Sequence, residues 1–374
     1  MKEILVLGCG RVGRTICLDL ALENHITVAD ISNENLKKVE SENIETIKLD
    51  ISNNNKLREL ITGFNLIISC VPGFMGFKTL KTIIEEKKDV VDISFFPEDA
   101  LELSKLAKEK NVTAIVDAGV APGLSNLILG HYDSLCKVNY YACYVGGLPI
   151  IKNPPFEYKA PFSPIDVIEE YTRPARLYEN SKIVTKEPLT EIEILNFEKI
   201  EDLEAFNTDG LRTLLFTMSH IPNMKEKTLR YPGHAEKIKT LKKGGFFNDQ
   251  EIIIENKKIT PLQITTEILK KDWILKEQDL EFTVMKIDIH NSEKTFTIDL
   301  FDEYDSNLQM SSMSRTTGYT CTACVDMLNK GMYTEVGIIP LELIGKNHSC
   351  YNHIIQYLKN RNIELKITRK NKFN

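Results

Sequence analysis

Apolar and polar positions alternate in two rhythms along the first third of the chain. Short strand-like runs fall at residues 1–7, 26–29, 44–49, 66–71, 89–94 and 112–116, of which 66–71 is the most continuously apolar. Between them lie stretches at 14–22, 36–42, 56–61, 77–86 and 100–110 whose apolar residues recur three and four apart. A continuous apolar run bounded by turn residues predicts a parallel strand covered on both faces, and the longer periodic stretches predict helices. Strands alternating with helices at this spacing predict a Rossmann-type, doubly wound parallel sheet. Ligands of such sheets bind beyond the carboxyl ends of the strands. Asp30, Asp50, Cys70-Val71-Pro72, Asp92-Ile93-Ser94 and Asp117-Ala118-Gly119 are therefore expected to line one crevice.

Beyond residue 125 the pattern changes. Residues 140–145 alternate like an antiparallel strand, Gly146-Gly147-Leu148-Pro149 and Asn153-Pro154-Pro155 read as loop, and further strands are expected at 182–184, 192–195, 228–230, 282–289 and 294–300. Helices at 318–329 and 351–359 and strands at 336–339 and 363–367 follow. The fold class is α/β: a dinucleotide-binding domain at 1–124, then an α+β domain at 125–317 with a mostly antiparallel sheet. The segment 318–374 is expected to return to the first domain.

The most specific stretch is Gly8-Cys9-Gly10-Arg11-Val12-Gly13, set between the first strand and the first helix. Gly8 allows the tight turn, Gly10 admits a pyrophosphate, and Gly13 lets helix and strand pack closely. The helix N-terminus, entered through Arg11 and Val12, offers N–H donors to that pyrophosphate. Asp30 closes the second strand and can accept from a ribose diol, with Ile31 beside it. Asp50 and Ile51 sit where the adenine is contacted, and Cys70, Val71, Pro72, Asp92 and Ser94 where the nicotinamide ribose lies. Asp30 disfavours a 2′-phosphate, and Ile31-Ser32-Asn33 contains no arginine to hold one, so the expected cofactor is NAD.

With 374 residues, 42% of them hydrophobic, the chain can build more than one core. A formal net charge of −6 and the lack of a basic stripe exclude a nucleic-acid partner. No apolar run of about 18 residues predicts a membrane span. The first strand begins at once, so no leader is expected and the protein is expected in the cytoplasm. Of the eight cysteines only Cys321 and Cys324 are close in sequence, within an apolar helix. Without a second pair or nearby histidines they predict core thiols, not a metal site.

The residues after 115 resemble a known family. Asp117-Ala118-Gly119-Val120-Ala121-Pro122-Gly123 resembles the D-x-G-x-A-P-G loop of the saccharopine dehydrogenase superfamily. Tyr144-Val145-Gly146-Gly147-Leu148-Pro149, Pro154-Pro155 with Tyr158, Leu203-Glu204-Ala205-Phe206 and Leu229-Arg230-Tyr231-Pro232-Gly233-His234-Ala235-Glu236-Lys237 are similar to the archaeal NAD-dependent lysine 6-dehydrogenases. That resemblance implies a homodimer, joined through the second domain, acting on a small amino acid. It implies oxidation of the ε-amino group of L-lysine to 2-aminoadipate 6-semialdehyde, which cyclises to piperideine-6-carboxylate, with release of ammonia. The alternatives are a saccharopine- or carboxynorspermidine-type dehydrogenase or reductase, and a dinucleotide-binding regulator without turnover. The loop Phe206-Asn207-Thr208-Asp209-Gly210-Leu211-Arg212 departs from the bacterial relatives.

Hydride leaves a carbon bearing a neutral amine, not an ammonium, and a free lysine amine has a pKa near 10.4. A base or a poorly solvated pocket must remove that proton. Asp92 and Asp117 at strand ends and His234 in a loop-like stretch are the candidate proton acceptors. Two acids at the crevice are expected to suit a cationic amine better than an amine carrying extra carboxylates. Arg212, Arg230 and Arg315 are candidates for an α-carboxylate, which guanidinium grips with paired hydrogen bonds. Tyr144 and Glu157 are candidates for the α-amino group.

Overall fold

In the computed structural model, residues 3–277 and 279–372 are described. The first apolar run forms β1, Ile4–Leu7, with all four side chains buried. The beginning of that expected strand, Met1 and Lys2, lies outside the described residues. Helix α1, Arg11–Leu20, starts directly after Gly10 and so takes the third glycine of the turn into its first turn. Further strands are β2, Ile26–Asp30, β3, Ile44–Lys48, β4, Leu66–Ser69, β5, Asp89–Asp92, and β6, Thr113–Val116. The sheet order is Gly337–Pro340, β6, β5, β4, β1, β2, β3, with all pairs parallel. Strand order reverses between β4 and β1, the switch point at which such sheets open their ligand crevice. The helix expected at 36–42 is a single short turn region, Asn33–Lys37, begun by the Ser32 hydroxyl accepting from Asn35 N–H.

The described residues divide into two compact units. The first runs to Val138 and adds Arg212–Met218 and Met313–Glu364. Its core gathers Leu5, Leu7, Ile67, Val90 and Val116 with Leu80, Ile83 and Ile84 from the helix Gly73–Glu85. Helices from residues 313–364 are locked onto α1 by Asp19, which accepts from Thr322 Oγ1 (2.6 Å), Tyr357 Oη (2.8 Å) and Arg361 Nε (2.6 Å). Cys321 and Cys324 are buried free thiols in the helix Ser312–Asn329.

The second unit comprises Asn139–Leu211, Ser219–Ser312 and the chain from Leu365. Its sheet centres on Tyr140–Pro149, which pairs in parallel with Met224–Arg230 and antiparallel with Glu281–His290. Gly146-Gly147-Leu148-Pro149 is strand here, not loop. A Cβ on Gly146 would lie 2.6 Å from the Leu229 carbonyl, so the glycine marks a close backbone approach inside the sheet. The last strand, Leu365–Asn371, pairs with Lys294–Glu303 in this second sheet rather than returning to the first. A separate core collects Trp273, Tyr158, Tyr171, Phe206 and Ile238. No helix of the described residues is long and apolar enough to cross a membrane.

The glycines of the first turn differ in what surrounds them. A Cβ on Gly13 would lie 2.1 Å from the Gly8 carbonyl oxygen, whereas one on Gly63 meets nothing within 4 Å. Gly13→Ala is expected to destabilise the protein by about 1–3 kcal/mol, as overpacking does, and Gly63→Ala by less than about 0.5 kcal/mol. Urea melts of the two variants check this.

Candidate functional site

The turn after β1 is built by backbone approach. Gly8 has a φ of 96° and donates its N–H to the Ala29 carbonyl at 2.8 Å. A Cβ there would meet the Cys70 carbonyl at 2.6 Å, so β1 and the end of β4 are held together at their carboxyl ends. Gly10 differs from both other glycines: an added Cβ meets nothing within 4 Å. Having no side chain, it leaves the N-terminal N–H groups of α1 uncapped, and no acid lies in the first turn. Open space over uncapped helix donors fits a pyrophosphate. Arg11 and Val12 follow within α1.

Asp30 is held from the protein side. Its Oδ2 accepts from Cys9 N–H at 2.6 Å and its Oδ1 from Ser32 N–H at 2.7 Å. Ile31 beside it is 63% exposed. Asp50 is exposed at the end of β3, accepts from Ser52 N–H at 3.0 Å, and that serine holds its carboxyl below the usual range. Ile51 packs against the first core. Val71 is buried and Pro72 exposed at the head of the helix Gly73–Glu85. Burial, and then Asp92, pushes the Cys70 thiol up, so it is no thiolate nucleophile.

The two strand-end acids have different surroundings. Asp92 is completely buried at the end of β5 and accepts from Ser94 N–H at 2.8 Å. Burial raises its carboxyl to about 7, Ser69 and Ser94 counter by hydrogen bonding, and Asp117 adds to the rise. Asp117 follows β6 and forms a buried ion pair with Arg212, Nε to Oδ1 at 2.8 Å. Arg212 also donates to the Phe96 carbonyl and lies 5.0 Å and 5.1 Å from the ring centres of Phe95 and Phe96. Both partners have positive φ, 54° for Asp117 and 48° for Arg212. The second carboxylate oxygen, Oδ2 of Asp117, is buried without a hydrogen-bond partner among the described residues.

The sequence bounds put Arg212 in the second domain as a candidate carboxylate clamp. It belongs instead to the first unit, with its guanidinium on Asp117. Arg315 also lies in the first unit, buried, donating to the Arg361 carbonyl at 3.2 Å. Only Arg230 of the three lies in the second unit, and it is buried there. It donates to Glu170 (2.8 Å), Tyr171 Oη (3.2 Å) and the Leu229 carbonyl (2.9 Å) and stacks 4.3 Å from the Tyr158 ring centre. His234 adjoins this group. Its Nδ1 is 3.0 Å from the Phe156 carbonyl and its Nε2 3.0 Å from Tyr171 Oη. The carbonyl can only accept, so Nδ1 carries the proton and Nε2 accepts from the tyrosine. Burial first, then Arg230, holds this imidazole at about 3, and it stays neutral.

Glu157 lies 3.5 Å from Lys237. Tyr144 is buried, 3.5 Å from Glu193, with Lys225 5.3 Å over its ring; burial pushes its hydroxyl well up. The structure therefore brings Asp92, Asp117 and Arg212 together within the first unit, and Arg230 and His234 together within the second. Sequence reasoning missed Phe95-Phe96, Glu170 and Tyr171. The aromatic pair directly after a strand-end serine was a readable signal, whereas Glu170 sits on an ordinary amphipathic helix, Pro164–Thr172, and carried none. No group of three or more His, Cys, Asp or Glu among the described residues is arranged to hold a metal.

Comparison with known proteins covers most of the chain. The family model described as the saccharopine dehydrogenase NADP binding domain matches residues 4–115, and that of the saccharopine dehydrogenase C-terminal domain matches residues 119–363. The chain is 26% identical over 264 residues to mitochondrial alpha-aminoadipic semialdehyde synthase of Mus musculus, covering 66% of this chain and 28% of that protein. It is 27% identical over 303 residues to the NADP(+), L-glutamate-forming saccharopine dehydrogenase of Pyricularia oryzae, covering 76% of this chain and 66% of that one. The chain thus spans less than a third of the first relative and about two thirds of the second. Apo saccharopine dehydrogenase (L-Glu forming) from Saccharomyces cerevisiae has the same fold, with a TM-score of 0.78 at 20% identity over 99% of this chain and 100% of that one.

The open space at Gly10 generates a prediction separate from stability. Gly10→Ala is expected to leave the urea midpoint unchanged while weakening NADH binding at least about tenfold, a loss of about 1.4 kcal/mol. Fluorescence titration with NADH checks it.

Proposed function

The chain belongs to the saccharopine dehydrogenase family, and from that premise we propose that it is a nicotinamide-dependent oxidoreductase acting on the secondary amine of saccharopine, releasing glutamate and 2-aminoadipate 6-semialdehyde. The observation that carries this reading is the Asp117–Arg212 pair. Two acids at the strand ends would repel an amine carrying extra carboxylates. One of them is paired with a guanidinium, and burial raises the other to about 7, which weakens its negative charge at neutral pH. The charge argument for lysine over saccharopine therefore loses its basis, and the names of the fungal relative and of the two family models favour saccharopine. A second reading, the lysine 6-dehydrogenase reaction, rests on the Tyr144–Pro149 and Leu229–Lys237 strings.

For the cofactor we propose NAD. The negative Asp30 at the end of β2 and the lack of a cation at positions 31–33 support it, against the NADP in the names of the fungal relative and the family model.

In this proposal the chain's residues act as follows. The Gly8–Gly13 turn and the α1 N-terminus bind the pyrophosphate, and Asp30 orients the ribose. A bound dinucleotide supplies the hydride acceptor. Asp117 Oδ2 accepts a hydrogen bond from the substrate amine, held in place by Arg212. Asp92 takes the amine proton, because a base is most effective when its pKa lies near the working pH; loss of hydride from the adjacent carbon leaves an imine, and one water adds to it to release glutamate and the aldehyde.

Sign and size follow from Asp92. Its carboxylate form grows as pH rises through about 7, so kcat/KM is expected to rise across that range. Asp92→Asn should remove this limb and lower kcat/KM by about 10²–10⁴, the usual share of a general base. A pH–rate profile of both proteins checks it.

Saccharopine and lysine, each supplied with NAD and with NADP, separate the two substrate readings. The expected result is NADH formed from saccharopine with one glutamate per NADH. Ammonia released from lysine, with saccharopine inert, would replace the first reading by the second.

A further inference from the structure

The segment Arg212–Met218 belongs to the first unit although the chain on either side of it belongs to the second. Its helix, Leu214–Thr217, is a single turn, too short to be stable by its own hydrogen bonds. Thr217 ties it down, donating from its hydroxyl to Oε1 of Glu342 at 2.6 Å. Glu342 is completely buried, and its Oε2 accepts from Asn126 Nδ2 at 3.1 Å. Asn126 in turn accepts, through Oδ1, from Gly123 N–H at 3.3 Å and from the Ser125 hydroxyl at 3.1 Å.

Gly123 closes the loop that begins at Asp117. Its φ is 137°, and a Cβ there would lie 2.0 Å from the Gly119 carbonyl and 2.6 Å from that of Asp117. The loop therefore has no slack: a shift at Asn126 is passed through Gly123 to Asp117. The helix Leu124–Leu135 is also seated against the backbone of the same acid, since a Cβ on Gly130 would lie 2.0 Å from the Glu342 carbonyl oxygen. One buried carboxylate thus reaches both members of the ion pair, Arg212 through Thr217 and Asp117 through Asn126 and Gly123.

We infer that Glu342 is a positioning residue for the Asp117–Arg212 pair and sets the direction in which Asp117 Oδ2 meets a ligand amine. The part concerning the amine rests on the function proposed above. A fully buried acid is costly unless its oxygens are hydrogen-bonded, and both oxygens of Glu342 are taken by side chains that lead to this pair.

Glu342→Gln keeps the shape but puts an NH2 group against one of the two donors, so one link breaks. In the full chain, hydrogen–deuterium exchange is expected to quicken in peptides covering 117–126 or 211–218 and to stay unchanged in β4. Thr217→Val, which cuts only the Arg212 side, is expected to quicken 211–218 alone. With whichever amine the wild type oxidises, Glu342→Gln should raise KM about tenfold with a smaller change in kcat, and should add clearly less than this in an Arg212→Ala background, as coupled sites behave. Unchanged exchange in both segments overturns the inference, and so does a full, additive loss in the Arg212→Ala background. A wild type that oxidises neither saccharopine nor lysine overturns the proposed function instead, and the exchange arm still decides the role of Glu342.

Discussion

The site depends on a charge pair taken out of water. Asp117 and Arg212 are both buried, and a buried pair holds only when its remaining donors and acceptors are matched. Arg212 meets that demand by donating also to the Phe96 carbonyl and lying against two aromatic rings. Asp117 meets half of it and leaves Oδ2 unmatched inside the fold. Both residues also carry left-handed backbone, with φ of 54° at Asp117 and 48° at Arg212.

The pair also accounts for how differently two neighbouring aspartates behave. Arg212 lies on Asp117 and keeps its charge there acceptable. Asp92 has only serine hydroxyl and amide groups to offset its burial, and burial lifts it to about 7. The second unit shows the same logic with other residues. Glu170 and Arg230 form a buried ion pair, and burial first, then the guanidinium, keeps the imidazole of His234 neutral. A histidine that looked like an acid–base group in sequence is, in its surroundings, a neutral link between Phe156 and Tyr171.

How much of this was legible in the sequence follows from the range of the interactions. The turn from β1 through Gly13 to Asp30 is local, and its spacing alone placed strand, helix and acid correctly. The run at residues 66–71 is apolar on both faces, which only a covered parallel strand explains. Gly146-Gly147 misled because glycines suggest a loop, and the Leu229 backbone that explains Gly146 is far along the chain. Arg212 was legible as a functional candidate, but not its place. Nothing local shows that Arg212–Met218 joins a different unit from its neighbours, or that Glu342 waits there to receive it.

The chain passes between the two units after Val138, Leu211, Met218, Ser312 and Glu364. This interleaving bears on biosynthesis. The parallel sheet lacks its edge strand until Gly337–Pro340 has left the ribosome, and the other sheet lacks its own until Leu365–Asn371 has done so. The first unit is complete only with Glu364 and the second only after it, so both finish within the last stretch of this chain. Exposed strand edges of both persist until synthesis of these residues ends, and edges of that kind recruit other chains. In a tandem arrangement of the same two units, by contrast, one sheet would have its edge strand before the other was begun.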